Sequence, residues 1–124
     1  MSNNQECQNQ RQNYVQLSVP EEWRPTPGSN GGSSECDTTQ FTYQDQSGAD
    51  KSGELFMEVN QQKKIAFVGV SQQVIDDGLP QNELESNNAF TTCTRDNGCS
   101  DKPTTGGVIL CASECAVDFI VSWF

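Results

Sequence analysis

The sequence ends in Ala116-Val117-Asp118-Phe119-Ile120-Val121-Ser122-Trp123-Phe124, the longest apolar run in this chain of 124 residues. Every second residue from Val117 to Trp123 is apolar, which is the period of a half-buried β-strand. A shorter apolar stretch, 108–111, lies just before it and reads as a partner strand. Together they predict a terminal β-hairpin that ends inside or against the core, with Trp123 buried.

The cysteines indicate that this hairpin is cross-linked. The chain has no histidine, and its C-x5-C and C-x3-C spacings differ from the paired C-x2-C of zinc ribbons, so disulfides are favoured over a metal. We expect a local Cys93–Cys99 bond and a longer bond from Cys36 into the C-terminal pair. Cys7 is expected to bond within the chain or to tether a neighbouring molecule. The predicted disulfide residues are Cys7, Cys36, Cys93, Cys99, Cys111 and Cys115.

The cysteine count also predicts a location. An even number of cysteines in a short acidic chain is typical of an oxidising place, outside a cell or on a particle surface. Residues 1–6 lack the basic start and apolar stretch of a signal peptide, which suggests a mature form, unconventional export or release by lysis. No apolar run reaches the roughly 18 residues of a membrane span, so none is predicted.

The charge narrows the choice of partners. The formal net charge is -10, from 17 acidic and 7 basic residues. Such a surface repels phosphate backbones and anionic lipid headgroups, which argues against nucleic acid and against electrostatic binding to membranes. The ordinary role of this charge is solubility.

Composition divides the chain into an arm and a body. Residues 1–13 are almost all Asn, Gln, Glu and Arg, and we expect them to be disordered unless something holds them. A short strand over 14–19 follows, and Trp23 is expected to plug the surface of the body. The Gly- and Ser-rich stretch 28–34 is typical of a flexible linker. We therefore predict an N-terminal arm with its linker, 1–34, and a β body, 35–124.

Within the body, apolar alternation predicts short strands separated by turns. A strand is expected over 38–44, and a hairpin over 55–59 and 65–70 whose second strand lies centrally. A further strand is expected over 89–94, and one helical turn around Leu84. The predicted fold is all-β: a single small antiparallel sandwich or jelly-roll-like body of about seven or eight strands, linked by disulfides.

No arrangement of residues predicts catalysis, a cofactor or a metal. Without histidine the chain cannot build a Ser-His-Asp or Cys-His pair. The adjacent acids Glu21-Glu22 and Asp76-Asp77 point different ways on extended backbone and read as solvated residues. Asp45 and Asp50 do not match the spacing of a calcium loop. The sequence therefore predicts a protein that is not an enzyme.

Three non-catalytic functions fit this description. The first is a structural subunit of an extracellular fibre or virus-like particle, joined to copies of itself through the N-terminal arm and possible inter-chain disulfides. The second is a secreted cysteine-rich toxin or effector that binds a receptor. The third is a small carbohydrate- or ligand-binding module that uses Trp23, Tyr43 or Trp123 as a stacking surface. The structural subunit is the predicted function.

Overall fold

The computed structural model describes residues 4–26 and 34–124, which form a four-stranded antiparallel sheet with helical segments on both of its faces. The strands are β1 (Val15–Gln16), β2 (Ser34–Gln44), β3 (Asp50–Asn60) and β4 (Ile65–Val70). The α-helices are α1 (Asn4–Gln10), α2 (Gln72–Asp76), α3 (Glu83–Ser86), α4 (Asn88–Asp96) and α5 (Thr105–Trp123). Short 3-10 turns cover Arg11–Asn13, Glu21–Trp23 and Cys99–Asp101.

The strand order is β1-β4-β3-β2, and every neighbouring pair is antiparallel. The predicted central hairpin is therefore confirmed as β3 and β4, and the strand predicted over 38–44 lies inside β2. The hairpin turn is closed by Asn60, whose side-chain oxygen accepts hydrogen bonds from the backbone N–H groups of Gln62 and Lys64, both at 3.0 Å. This local bonding ends the two strands at a defined register.

Alternate residues of β3 belong to two separate apolar clusters, because side chains of a strand point to opposite faces. Leu55, Met57 and Val59 are fully buried in the larger cluster, together with residues of α4 and α5. Phe56 lies in the smaller cluster on the other face, with Phe67. The main core is thus the layer between the sheet and the C-terminal helices.

The C-terminal run forms the longest helix, α5, and not the predicted strands over 108–111 and 116–123. Thr104 caps it by accepting a hydrogen bond from the N–H of Gly107 at 3.0 Å. Its buried residues recur with the helical period of 3.6, which buries one complete face against β2 and β3. They are Val108, Ile109, Ala112, Ser113, Cys115, Ala116, Phe119 and Ile120.

The prediction of an all-β sandwich or jelly-roll is therefore not confirmed, whereas the antiparallel sheet and the disulfides are. The segment predicted as a strand over 89–94 is part of α4, which Asn87 caps through the N–H of Ala89. The helical turn predicted around Leu84 is confirmed as α3, where Leu84 is buried. Helices replace the second sheet because they cover the apolar face of the first one equally well.

The N-terminal segment packs on the face of the sheet opposite α5. A disulfide joins Cys7 of α1 to Cys36 of β2. Arg11 forms an ion pair with Glu58, whose side chain is fully buried, and Tyr14 packs against the smaller cluster. These contacts hold residues that the composition alone predicts to be disordered. Most of the predicted linker, 28–33, lies outside the described residues, and the division at residue 34 stays a prediction.

The disulfide pairing differs from the predicted one. All six cysteines lie in the described part of the chain, and none is free. Cys93 in α4 and Cys115 in α5 have Cα atoms 5.7 Å apart because the two helices lie side by side, within the range of a disulfide. The expected Cys93–Cys99 bond is wrong, as is the expected bond from Cys36 to the C-terminal pair. The observed bonds are Cys7–Cys36, Cys93–Cys115 and Cys99–Cys111.

Within the described ranges, α5 is the one helix that is long and apolar enough to span a membrane by length and composition, with 50% of its most apolar window buried inside the protein. No span was expected from the sequence, because no apolar run reaches roughly 18 residues and the last one contains Asp118. A buried core helix passes the same test of length and composition, and α5 packs on β2 and β3.

Candidate functional site

A surface groove runs between α4 and α5. It consists of two adjoining hollows of about 440 and 300 Å³ that share Cys93, Cys115 and Asp118 as lining residues. Leu110 lines the first hollow and Trp123 lines the second. The groove therefore extends along most of the exposed side of α5.

Two disulfides fix the walls of this groove. Cys93–Cys115 joins α4 to α5 directly, and Cys99–Cys111 joins α5 to the 3-10 turn that follows α4. The Asn97 side-chain amide donates a 2.8 Å hydrogen bond to the carbonyl of Cys93 and completes the end of α4. These two covalent links hold α5 at two levels, to α4 and to the turn that follows α4, so the groove is preformed.

Exposed apolar side chains lie at both ends of the groove. Leu110 is 64% exposed on the outward side of α5, and Trp123 is 42% exposed on the last turn of the helix. The Trp123 indole N–H donates a 3.2 Å hydrogen bond to the carbonyl of Gly78, which fixes the ring at the surface. Exposed large apolar groups beside a preformed concave surface are a feature of interaction sites.

The charges along the groove are mainly acidic. Glu114 and Asp118 lie one helical turn apart on α5, and both line it. Lys102 lies at the Leu110 end of the same hollow. The groove thus presents two carboxylates in its middle, an apolar residue at each end and one ammonium group near one end.

A scan against protein-family models finds no match, nor does a search of curated proteins or of solved structures.

Of the two carboxylate pairs named from the sequence, Glu21 and Glu22 line a surface hollow that also contains Arg95. Glu22 forms a surface ion pair with Arg95 at 2.6 Å, and Asp77 accepts a hydrogen bond from the Tyr43 hydroxyl at 2.7 Å. Asp45 accepts hydrogen bonds from Ser47 and from the N–H of Ala49, which closes the β2–β3 turn and lowers the pKa of Asp45. In the described residues, no group of three or more potential ligands is placed to hold a metal ion.

The aromatic residues separate into buried and exposed ones. Trp23 plugs the surface as predicted: it is almost fully buried, and its indole N–H donates to the Thr94 hydroxyl at 3.2 Å. Tyr43 is buried as well, so neither ring offers a free stacking face. The expectation that Trp123 is in the core is wrong: its ring is partly exposed on the last turn of α5, and it is the following residue, Phe124, that packs against the main cluster.

Leu110, Glu114 and Asp118 were not identified as site residues from the sequence. The signal was present: apolar residues at 108–109, 112, 115–116 and 119–120 repeat with a helical period. That period leaves 110, 114 and 118 on the outward side of the helix. The strand interpretation divided this segment into two strands, over 108–111 and 116–123, and within the second of them strand alternation and helical period fit equally well.

Tyr43 makes stability dependent on alkaline pH. Burial, with the hydrogen bond to Asp77, raises the pKa of Tyr43 well above its ordinary value of 10.0. Since the folded state holds the proton more tightly, this stabilisation is present below pH 10 and is lost as pH rises above it. Urea unfolding from pH 8 to pH 11 should show a loss approaching about 1.4 kcal/mol per pH unit above pH 10. Tyr43→Phe should flatten this slope, and an unchanged slope would contradict the assignment.

Proposed function

We propose that this chain is a non-catalytic binding protein of an oxidising, extracellular setting, and that it contacts its partner through the groove between α4 and α5. The observation that carries the proposal is the exposure of Leu110 and Trp123 at the two ends of a groove whose walls are joined by disulfides. This proposal is a coarser form of the receptor-binding effector, which the sequence offered as an alternative to the structural subunit. We describe the receptor only by the side chains that would match the groove.

The preformed walls support binding because the groove residues are already ordered when the protein has folded. A partner then meets a surface that loses little conformational entropy on association. Three disulfides are compatible with an oxidising location, where such bonds persist. Two other hollows of this surface are less suited, because most of their charged groups are already engaged in ion pairs: Arg24 with Glu85 beside one, and Arg95 with Glu22 beside the other.

Charge complementarity defines the chemistry of the partner. Glu114 and Asp118 favour lysine or arginine opposite the middle of the groove, and the net charge of -10 adds a long-range attraction. Leu110 and Trp123 favour apolar side chains opposite its ends. The groove therefore fits a peptide segment or helix with a basic centre between apolar residues.

A model peptide tests this fit. A synthetic amphipathic helix of about four turns, with leucine at helical spacing and lysine on both flanks, is expected to bind and to shift the emission of Trp123 to shorter wavelength. Leu110→Ser is expected to weaken binding about tenfold, because the peptide would cover the exposed side chain of Leu110 and remove it from water. Trp23 is buried and serves as a constant background in the fluorescence titration.

Two double variants that each remove two negative charges separate attraction by the groove from attraction by the net charge of the protein. Glu114→Gln with Asp118→Asn removes two charges from the groove, whereas Glu21→Gln with Asp76→Asn removes two exposed charges elsewhere. We expect only the first pair to weaken binding by about tenfold at moderate salt. Equal losses in the two double variants, together with no effect of Leu110→Ser, would refute the groove as the binding surface.

A second candidate function is the structural subunit of an extracellular assembly. The internal Cys7–Cys36 bond leaves no free thiol for the inter-chain disulfide considered from the sequence. A different observation favours self-association: the long strand β2 lies at the edge of the sheet. Such an edge is the usual place at which strands of separate molecules add to one another.

A further inference from the structure

Strand β2 presents an open edge. It is the last strand in the order β1-β4-β3-β2, and none of the strands in 4–26 and 34–124 pairs with its outer side. Its eleven residues keep one continuous register with β3 from Ser34 to Gln44. A long regular edge strand carries unpaired backbone groups in the positions that a further strand would bond.

The sequence of this edge lacks the usual protection. Natural edge strands are blunted by lysine, proline or a bulge. Residues 38–44 contain no charge and no proline, and the charges of β2 lie near its start, at Glu35 and Asp37. Thr38, Gln40 and Thr42 are exposed on one face of the strand, and Phe41 is buried on the other. A neighbouring strand could therefore pair with this half of β2 through uncharged polar side chains.

We propose that two copies of this chain pair through β2, antiparallel and centred on Gln40. This inference deepens the second candidate function and does not depend on the groove. In this register Gln40 faces Gln40 of the other copy, and Thr38 faces Thr42, so the pairing is its own complement as a two-fold interface requires. Asp37 faces Tyr43 and not another acid.

The alternative parallel pairing is disfavoured by charge. In register, it places Glu35 beside Glu35 and Asp37 beside Asp37, and like charges directly opposite one another destabilise a strand pair. The antiparallel register extends the four strands of each copy into one eight-stranded sheet. Because each copy carries a net charge of -10, association works against long-range repulsion and strengthens as salt screens it.

This salt dependence is opposite to that of the groove. Binding of a basic peptide weakens as salt increases, whereas pairing through β2 strengthens. The two surfaces therefore give different signatures in the same protein.

A cysteine cross-link tests the register. Gln40→Cys is expected to form a covalent dimer with oxidised glutathione, since residues facing each other across antiparallel strands lie within disulfide range. Ser52→Cys is the matched control, because Ser52 is exposed and pairs with Thr42 from β3, so that β2 separates it from the outer side of β2 where the second copy would bind. It should stay monomeric. Peptide mapping by mass spectrometry must show that the two introduced thiols at position 40 are joined and that the three native disulfides are intact; a link through any other cysteine counts against the register.

Sedimentation tests the pairing without a new thiol. Raising salt from about 0.05 to about 0.5 M is expected to increase the dimer fraction of the native chain. Gln40→Lys, which sets two ammonium groups opposite each other, should weaken association about tenfold, and Ser52→Lys should not. A monomer under all conditions overturns the pairing and the structural-subunit function together. A dimer that Gln40→Lys leaves unchanged, with no Gln40→Cys cross-link, overturns the pairing through β2 but leaves that function standing on another surface.

Discussion

Replacing the four C-terminal cysteines by alanine is expected to lower the free energy of unfolding by about 6 kcal/mol, which is about 3 kcal/mol for each disulfide. The two bonds span 22 and 12 residues, and each restricts the unfolded chain. Since domains of this size are stable by about 5–15 kcal/mol, the variant is expected to be partly or fully unfolded at 37 °C. Urea titration followed by circular dichroism measures the loss. The residues replaced are Cys93, Cys99, Cys111 and Cys115.

The third disulfide supplies the comparison. Cys7→Ala with Cys36→Ala is expected to lower stability by about 3 kcal/mol and to release α1, but to leave α4, α5 and peptide binding in the groove unchanged. The two C-terminal disulfides support the groove, whereas the single Cys7–Cys36 bond supports the back of the sheet. A loss of less than about 2 kcal/mol in the four-cysteine variant would show that packing alone holds α5 in place.

Arg11→Met is expected to cost about 3 kcal/mol, although Arg11 is on a polar segment at the N-terminus. Its guanidinium makes two 2.7 Å hydrogen bonds to the Glu58 carboxylate, which is fully buried on the back face of the sheet. The same guanidinium lies 5.3 Å from the centre of the Phe67 ring. Removing it leaves a buried carboxylate without its charge partner, and the desolvation of that group is no longer compensated. Chemical denaturation of the purified variant measures the loss.

Two further variants test this explanation. Arg11→Met combined with Glu58→Met should recover most of the lost stability, because no buried charge then lacks a partner. Arg24→Met should cost less than about 1 kcal/mol, because its partner Glu85 is exposed. If the double variant is as unstable as Arg11→Met alone, the loss comes from packing of the arm and not from the carboxylate.

The central hairpin was predictable because its information is local. Leu55, Met57 and Val59 alternate with their neighbours, and Asn60 supplies a side-chain oxygen that closes the turn. The same applies to the short helix around Leu84. Each of these elements depends on residues within one strand pair or one helical turn.

The C-terminal helix was not predicted because its composition suits either structure. Val117, Ile120 and Val121 are β-branched and favour strands, but the apolar pattern from Val108 to Ile120 has a helical period. The sheet has one wide apolar face that needs covering, and a helix of nineteen residues covers both β2 and β3. Packing against that face overrides the weak local preference.

The candidate groove was beyond local reasoning for the same reason. Glu114 and Asp118 become groove residues only when α5 is helical and α4 lies beside it. The exposure of Leu110 likewise follows from which side of α5 meets the sheet, and the exposure of Trp123 follows from its place on the last turn of the helix. An apolar residue counted toward the core from the sequence is then part of the surface.

The sequence by itself determined that the chain is acidic, that its cysteines favour disulfides over a metal, and that a β-hairpin lies near its middle. These properties depend on the composition of the chain or on patterns of residues that are close together in the sequence. Only the tertiary structure decided which cysteines pair and that the apolar C-terminus is a helix with one exposed side. The physical reason is that a disulfide requires two Cα atoms within about 7 Å, and that proximity is created by packing between segments that are distant in the sequence.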